Sequence, residues 1–557
     1  MARLTGRTLF FTTSPRSPEK MIPEIRLLVD NFSGRKWDKA TQTEYALALS
    51  ETEFFEGSLP KDPSFTARDR INRGPKSLGL VALEPYISIT PAGQEFLSGD
   101  FSGKLLRQML KFQLPSPYHT AVVGGCEFRV RPFLEMLRLI RHFGSLKFEE
   151  IQIFGMQLTD YTRFGEIVGK IEDYRTRALH FSGSGKKYYR QESINQLRNI
   201  YANEIKTGKV AVRENRQTDE RSFLNTKSSN LRDYTDALFR YLRATGLVSI
   251  SYSGRSVSIT KEREKDVDYI LLNIDREPRT FNSAQDYIAY LGDATEPALP
   301  SDDYKQLLAK AREIFPDTDN LPEDIPSLKK MLSAHIAERR DSLISRQIAA
   351  IKAFECYEDV QNLFDSIVHD RSLYDAPLML EWNTWRAMCM IDGGEIHAQL
   401  KFDDFGSPMA TAPANTADII ADYGDFGVAV EVTMTNRQRQ FEAEGESVFR
   451  HTGKLVEMYK KPFYCLLIAP GINSAVGAFF YAMHRTNISF YGGIPKAVPL
   501  ALPYFRKMLA NARQASYIPT KEQILQFFED AHQLALTTHD ENEWIVRVNA
   551  MAVNWTL

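Results

Sequence analysis

The sequence predicts a multidomain α+β protein, with winged-helix modules in the N-terminal part, a helical linker, and a small α/β core at the C-terminal end. Three observations carry that expectation. At roughly 150 residues per domain, 557 residues make three or four domains. Charge divides the chain: residues 1–250 hold 38 Lys+Arg against 28 Asp+Glu (net +10), and residues 251–557 hold 31 against 43 (net −12). A helix–hairpin–helix pattern occurs twice in the basic part, and a helix–strand–strand–helix–strand order once in the acidic part. Composition sets the outer limits. With 43% hydrophobic and 25% charged residues the chain is globular rather than disordered. Cys126, Cys356, Cys389 and Cys465 form no CxxC or Cys/His spacing, which argues against a zinc ribbon and fits a reduced, cytoplasmic protein. The longest apolar stretch, Phe463 to Met483, is interrupted by Pro470, Gly471 and Gly477, so no membrane span is expected.

Residues 1–100 read as a first winged helix-turn-helix. Met21 to Phe32 and Lys39 to Phe55 have helical periodicity, with Ile25, Leu28 and Val29 on one face and Tyr45, Leu47 and Leu49 in the next helix. A short basic helix is expected after Phe65, with Thr66 as its N-cap. Leu78 to Leu83, a turn at Glu84-Pro85, and Tyr86 to Thr90 alternate as a half-buried hairpin should. Thr90-Pro91 then opens another helix, with proline just inside its start.

Residues 101–282 repeat the theme. Pro132 to Phe143 and Tyr161 to Arg177 are helical, and a helix over Leu231 to Arg243 leads into Gly246-Leu247-Val248, a turn at Ser253-Gly254, and Ser258-Ile259-Thr260. Two winged modules in the basic part read as a DNA-recognition unit. Ser182-Gly183-Ser184-Gly185-Lys186-Lys187 resembles a phosphate loop but lacks the first glycine, and Lys187 fills the Ser/Thr slot. A basic loop beside DNA phosphates is the reading, and no ATP use is expected. Residues 283–370 are acidic, helical and punctuated by Pro316, Pro322 and Pro326, which makes them a helical spacer rather than a flexible tether.

The last part, residues 371–557, carries the chemistry. A strand from Asp418, a turn through Asp422 to Asp425, and a strand from Phe426 to Met434 place Val428, Val430 and Val432 on one face and Ala429, Glu431 and Thr433 on the other. Such a hairpin sets Asp418 beside Glu431. A helix from Arg439 to Tyr459 lines up Glu444, Val448, His451 and Leu455 on an inward stripe. Glu381 adds an acid in an apolar, aromatic helix, and Phe463 to Ala469 is a buried strand. Asp422 and Asp425 read as turn residues, Glu442 and Glu446 as solvated charges, and His451 as a core histidine rather than a general base. Carboxylates driven together repel unless a cation joins them, and oxygen ligands favour Mg²⁺ or Mn²⁺. The order of elements is that of a small mixed α/β nuclease core.

The segments Ser14 to Lys20, Phe65…Arg68-Asp69-Arg70, Leu380-Glu381-Trp382…Trp385, Ala417-Asp418 with Glu431-Val432-Thr433, and Arg450-His451 together resemble the AlwI-type group of type IIS restriction endonucleases and their strand-nicking relatives. The resemblance runs from about residue 7 to past Pro470. It implies a C-terminal PD-(D/E)xK-type cleavage domain, a short asymmetric duplex site cut a few base pairs to one side, and Mg²⁺ as cofactor with Mn²⁺ able to substitute. It also implies a prokaryotic cytoplasm and a cognate DNA methyltransferase in the same system. Asp418 matches the first motif acid, Glu431 that of the second strand, Glu444 the helix acid and Glu381 the acid of the preceding helix. Asp418, Glu431 and Glu444 are thus the implied metal ligands. Thr433 stands where a lysine is usual, which leaves Lys454 or a second metal as the replacement.

Arg16, Lys20, Arg68, Arg70, Arg73, Lys227 and Arg232 are the candidates for contacting DNA. Since the Asp418…Glu431 arrangement occurs once, cutting both strands of double-stranded DNA is expected to need a transient homodimer or a second nuclease subunit. Two other classes compete: a PD-(D/E)xK repair or transposition nuclease, and a non-catalytic winged-helix regulator. Buried acids speak against the regulator.

Overall fold

The computed structural model of the chain describes residues 2–3, 7–52, 54–55, 61–99, 101–120, 128–212, 219–251, 256–318, 320–370, 373, 375–391, 393–413, 415–515 and 519–556. Cys126 and the Ser253-Gly254 turn lie outside the described residues. The protein mixes helices and sheets and divides into two compact units, residues 1–49 with 59–332, and residues 50–58 with 333–557. Among the described residues no helix is long and apolar enough to cross a membrane.

In the first unit, α1 (Met21–Phe32) buries Met21, Ile25, Leu28 and Phe32. Helix α2 (Lys39–Ser50) buries Tyr45, Ala46 and Leu49, and stops before the expected Phe55. Leu47 is 39% exposed rather than inside. Two residues is about 200° of helical turn, so Leu47 cannot share a face with Tyr45 and Leu49. Helix α3 (Pro63–Ile71) begins earlier than expected. Asp62, not Thr66, is its N-cap and accepts the Phe65 N–H at 3.0 Å, with Pro63 pre-set in the first turn. Strands β1 (Val81–Ala82) and β2 (Ser88–Ile89) form the expected hairpin, with Val81 opposite Ile89. The Thr90 hydroxyl accepts the Gly93 N–H at 3.0 Å and so caps α4 (Pro91–Leu97).

The second hairpin has a partner that sequence patterning missed. Strand β3 (Ser145–Lys147) pairs with β5 (Ser256–Ile259), which pairs in turn with β4 (Val248–Ile250). Before that hairpin come α5 (Gly185–Ile200) and α6 (Glu220–Ala244). Ser184 caps α5, so Lys186 and Lys187 lie in the first turn of a helix, not in a loop. The expected spacer consists of Ala284–Gly292, Tyr304–Ile314, the 28-residue α7 (Ile325–Lys352) and Tyr357–His369. The boundary between the two units falls inside α7.

The second unit is built on a five-stranded mixed sheet. Helix α8 (Ala376–Ile391) precedes β6 (Glu395–Ala398), β7 (Ile419–Asp422) and β8 (Gly427–Val432), which pair antiparallel. Strands β9 (Phe463–Ala469) and β10 (Ala497–Ala501) continue the sheet in parallel, giving the order β10-β9-β8-β7-β6. Every residue of β9 is buried, as a central parallel strand requires. Alternation along β8 sends Val428 and Val430 into the main core with Trp385 and Phe480, and Ala429 into a smaller cluster with Ala417, Ile420 and Leu455. The expected single helix over Arg439 to Tyr459 is two: α9 (Arg437–Glu444) and α10 (Ser447–Tyr459). Gly445 lies at the break. A Cβ there would stand 2.5 Å from the Phe441 carbonyl oxygen, so the chain passes too close for a side chain.

Candidate active site

The hairpin of β7 and β8 sets the geometry. Ile419, the first residue of β7, stands opposite Val430; Asp418 comes just before β7 and Glu431 just after Val430. The Val432 N–H donates to Asp418 Oδ2 at 2.7 Å, which fixes that carboxylate at the strand end. Glu431 shares a face with Ala429, the face covered by Leu455 of α10. One turn before Leu455 on the same helix is His451, whose Nδ1 stands 2.9 Å from Glu431 Oε1. Of the stripe expected here, Val448 and Leu455 are buried on α10 with His451 between them, whereas Glu444 ends α9, before the break, and is half-buried.

Burial dominates the electrostatics. Glu431 is only 4% exposed, and burial together with the charge of Glu444 raises its pKa well above the carboxylate range, against a smaller pull from Arg450. Glu381, on α8, is 3% exposed and accepts the Ala412 N–H at 2.9 Å. Its pKa is raised by burial first, then by Asp418, with Glu431 adding to it. The four expected acids thus act on one another as a single negative neighbourhood. His451 is pushed down to about 4, by burial and then by Arg450 and Lys454, so at neutral pH it meets Glu431 as an uncharged imidazole. Lys454 is half-buried on α10, and Glu444 is half-buried at the end of α9.

Thr433 is buried; its Oγ1 lies 2.7 Å from that of Thr435. Among the described residues no three His, Cys, Asp or Glu side chains stand in a ligating arrangement. The acids are gathered without being closed into a cage. Gln440 escaped sequence reading. It is fully buried, donates to the carbonyls of Thr435 (3.1 Å) and Gly471 (2.9 Å), and accepts the Asn473 N–H at 2.7 Å, tying the loop after β8 to the loop after β9.

The basic candidates differ in their surroundings. Arg70 pairs with the buried Glu24, and Arg16 lies 3.2 Å from Asp233 and 3.6 Å from Asp236. The Arg68 Nε donates to the Ser64 carbonyl at 3.3 Å, while the Arg73 Nε lies 2.7 Å from Asp69. Lys227 sits over the rings of Tyr201 and Phe223 at 5.2 and 5.3 Å, and Lys20 and Arg232 are exposed.

The sequence model of the AlwI restriction endonuclease family matches residues 76–508, well over half of the chain. The match starts after Ser14 to Lys20 and Phe65 to Arg70, so those two segments of the resemblance lie before it. No curated protein sequence matches the chain. Among solved structures, the chain is similar to the small subunit (R.BspD6I2) of the heterodimeric restriction endonuclease R.BspD6I, at 20% identity and a TM-score of 0.30, over 34% of this chain and 98% of that one. It is also similar to the restriction endonuclease FokI, at 11% identity and a TM-score of 0.23, over 94% of this chain and 99% of that one. Scores that low carry no argument about fold or mechanism.

Proposed function

The chain belongs to the AlwI restriction endonuclease family, and on that premise we propose that it is a type IIS enzyme. It binds a short asymmetric duplex site through its first unit and hydrolyses a phosphodiester a few base pairs away with the acids of its second. The four-part division expected from sequence applies to that reading: winged-helix subdomains over 1–100 and 101–282, a helical linker over 283–370, and a PD-(D/E)xK-type cleavage domain over 371–557. The observation that carries the site is the burial of Glu431 and Glu381, with no Lys or Arg in an ion pair to either among the described residues, near Asp418, whose Oδ2 accepts the Val432 N–H.

Asp418 and Glu431 are the residues to hold Mg²⁺ or Mn²⁺, with Glu444 at the edge of the same negative neighbourhood. The bound cation supplies an activated water and neutralises charge on the phosphate. The chain's own groups position and insulate. The Val432 N–H orients Asp418, neutral His451 hydrogen-bonds the Glu431 carboxyl group, and the Ala412 N–H holds Glu381. Lys454, on the helix of His451, or a second metal takes the role that Thr433 cannot fill. ATP has no part in this scheme. One centre cuts one strand at a time, so a second copy or a second nuclease subunit completes a double-strand break, and a methyltransferase protects the host site.

The test is a divalent-dependent digest of a one-site supercoiled plasmid with the ends sequenced. Cleavage in Mg²⁺ or Mn²⁺, arrest in EDTA with site binding kept, and open circles before linear DNA are expected. Cutting in EDTA, or ends scattered without relation to a fixed site, sinks the reading.

A further inference from the structure

Helix α3 does not end where its hydrogen-bond ladder should. It runs into a π-helical turn, Asn72–Lys76, a rare form that often marks functional sites. The turn is held from several sides. The Arg73 carbonyl, out of the α-helical ladder, accepts the hydroxyls of Thr12 (2.7 Å) and Ser77. The Trp37 Nε1–H donates to Asn72 Oδ1 at 3.0 Å. At Gly74 a Cβ would come within 3.0 Å of Met21 Sδ and 3.3 Å of Pro15 Cδ, so the backbone lies flat against the core. One turn earlier, Arg70 reaches inward to buried Glu24. Ser64, Ala67, Ile71, Gly74 and Pro75 form the buried side, which leaves Arg68 and Arg73 exposed.

Arg73 is the unusual member of that outer face. Its side chain is half exposed, yet its Nε lies 2.7 Å from Asp69, one turn back. Among the described residues this is its one ion pair. A carboxylate on the Nε side of a guanidinium steadies its plane and directs the two Nη groups outward as a parallel pair of donors. That pair matches the O6 and N7 acceptors of guanine in the major groove. A phosphate is the poorer partner, because Asp69 would stand beside it as a second negative charge. Rigid backbone with a braced side chain is what a base-reading residue needs, whereas a phosphate contact tolerates a loose one. Resting on the proposed DNA recognition by the first unit, we propose that Arg73, positioned by Asp69, reads a guanine of the recognition sequence.

The experiment uses the full-length chain, Arg73→Ala, Asp69→Asn, and duplexes in which each guanine of the site is replaced in turn by 7-deazaguanine, which lacks N7. For the wild type, one such replacement should weaken specific binding, and Arg73→Ala should be indifferent to that replacement. Arg73→Ala should lose roughly 5- to 150-fold in binding to the site, the range of one bidentate arginine–guanine contact, and accept other bases at that position. Binding to unrelated DNA should not change. Asp69→Asn should lose less, with the relaxed preference confined to the same base. Equal losses on specific and unrelated DNA would make Arg73 a phosphate contact and overturn the proposal. So would an unchanged base preference in Arg73→Ala, or a wild type insensitive to 7-deazaguanine at every guanine, a result that needs no variant to fold. Wild-type chain without any sequence preference overturns the proposed function as well, which separates the two failures.

Discussion

Buried acids are treated in opposite ways in the two units. In the first, each of the four most deeply buried glutamates has an arginine. Glu24 faces Arg70, and Glu135 receives Arg276 at 2.7 and 2.8 Å. Glu150 receives Arg175 at 2.6 and 2.8 Å, and Glu192 receives Arg177 at 3.0 and 3.2 Å. In the second, Glu381 meets a backbone N–H and Glu431 meets an uncharged imidazole. Burying a carboxylate without a cation is costly, and the cost falls on the folded state. The first unit relieves it internally and gains fixed geometry. The second leaves it without a cationic hydrogen-bond partner at Glu381 and Glu431, which on the proposed reading is where an external cation and a substrate would collect. The difference separates a scaffold acid from a working one without reference to any motif.

The largest effect expected from this difference is on cleavage. Asp418→Asn or Glu431→Gln should lower the cutting rate by roughly 10³-fold or more, since a metal ligand and its field are lost. Site binding in a gel shift should stay at the wild-type level. Full turnover by either variant would falsify the assignment of these acids. The counterpart in the first unit concerns stability. Arg276→Ala removes both arginine hydrogen bonds to the fully buried Glu135 and leaves it only the Arg138 Nε at 3.8 Å, at a cost of about 3 kcal/mol. Denaturant unfolding of the full chain should show that loss in one transition, and a loss below about 1 kcal/mol would mean that these arginines are ornaments of the surface.

Much of the site was legible because it depends on period and adjacency. Period-two alternation put Glu431 on the face opposite Val430, and the expected hairpin forms, with Ile419 opposite Val430. The inward stripe of α10 was legible for the same reason. What local pattern could not give was anything made by distant residues. Strand β3 joins its hairpin from more than 100 residues away, and the Glu135–Arg276 pair spans 141 positions. The break at Gly445 depends on how closely the turn passes Phe441, and the cap at Asp62 was overlooked because Thr66 sits nearer the basic residues. Arg70, expected to face DNA, was indistinguishable in sequence from Arg73, because only the fold puts Glu24 behind it.

A smaller effect extends the comparison to cations. The second unit also buries two imidazoles without a counter-ion: His484 Nδ1 lies 3.0 Å from His532 Nδ1, and His484 Nε2 lies 3.0 Å from the Ala497 carbonyl oxygen. Burial pushes His484 down to about 4, against the Ala497 contact, and lowers His532 as well. A depressed histidine pKa means that its stabilising contribution is complete above the ordinary value near 6.5 and is lost as pH falls toward about 4. Melting of the chain should therefore drop between pH 7 and pH 5, by about 1–2 kcal/mol. In His532→Phe that slope should flatten; an unchanged slope would place the acid sensitivity elsewhere.

The smallest effect is the sharpest, because its sign differs between the units. Glu431 has a raised pKa, so its ionisation opposes folding. Its contribution is fully present below the ordinary glutamate value near 4.3 and is lost as pH rises toward the folded value. Glu431→Gln removes that loss while keeping a carbonyl for His451. In metal-free buffer it should be as stable as the wild type near pH 4, and more stable than it at pH 8. Glu192 in the first unit runs the other way. Burial raises its pKa, but the hydrogen bonds from Arg177 and Gln196 outweigh burial and leave it lowered. Glu192→Gln should therefore cost stability at pH 8, and that cost should vanish as pH falls through the ordinary range. Adding Mg²⁺ should then raise the melting temperature of the wild type but not of Glu431→Gln, since only the former keeps both carboxylates. If Glu431→Gln instead loses several kcal/mol at pH 8, as Arg276→Ala is expected to, then Glu431 is a scaffold acid and the contrast between the units fails.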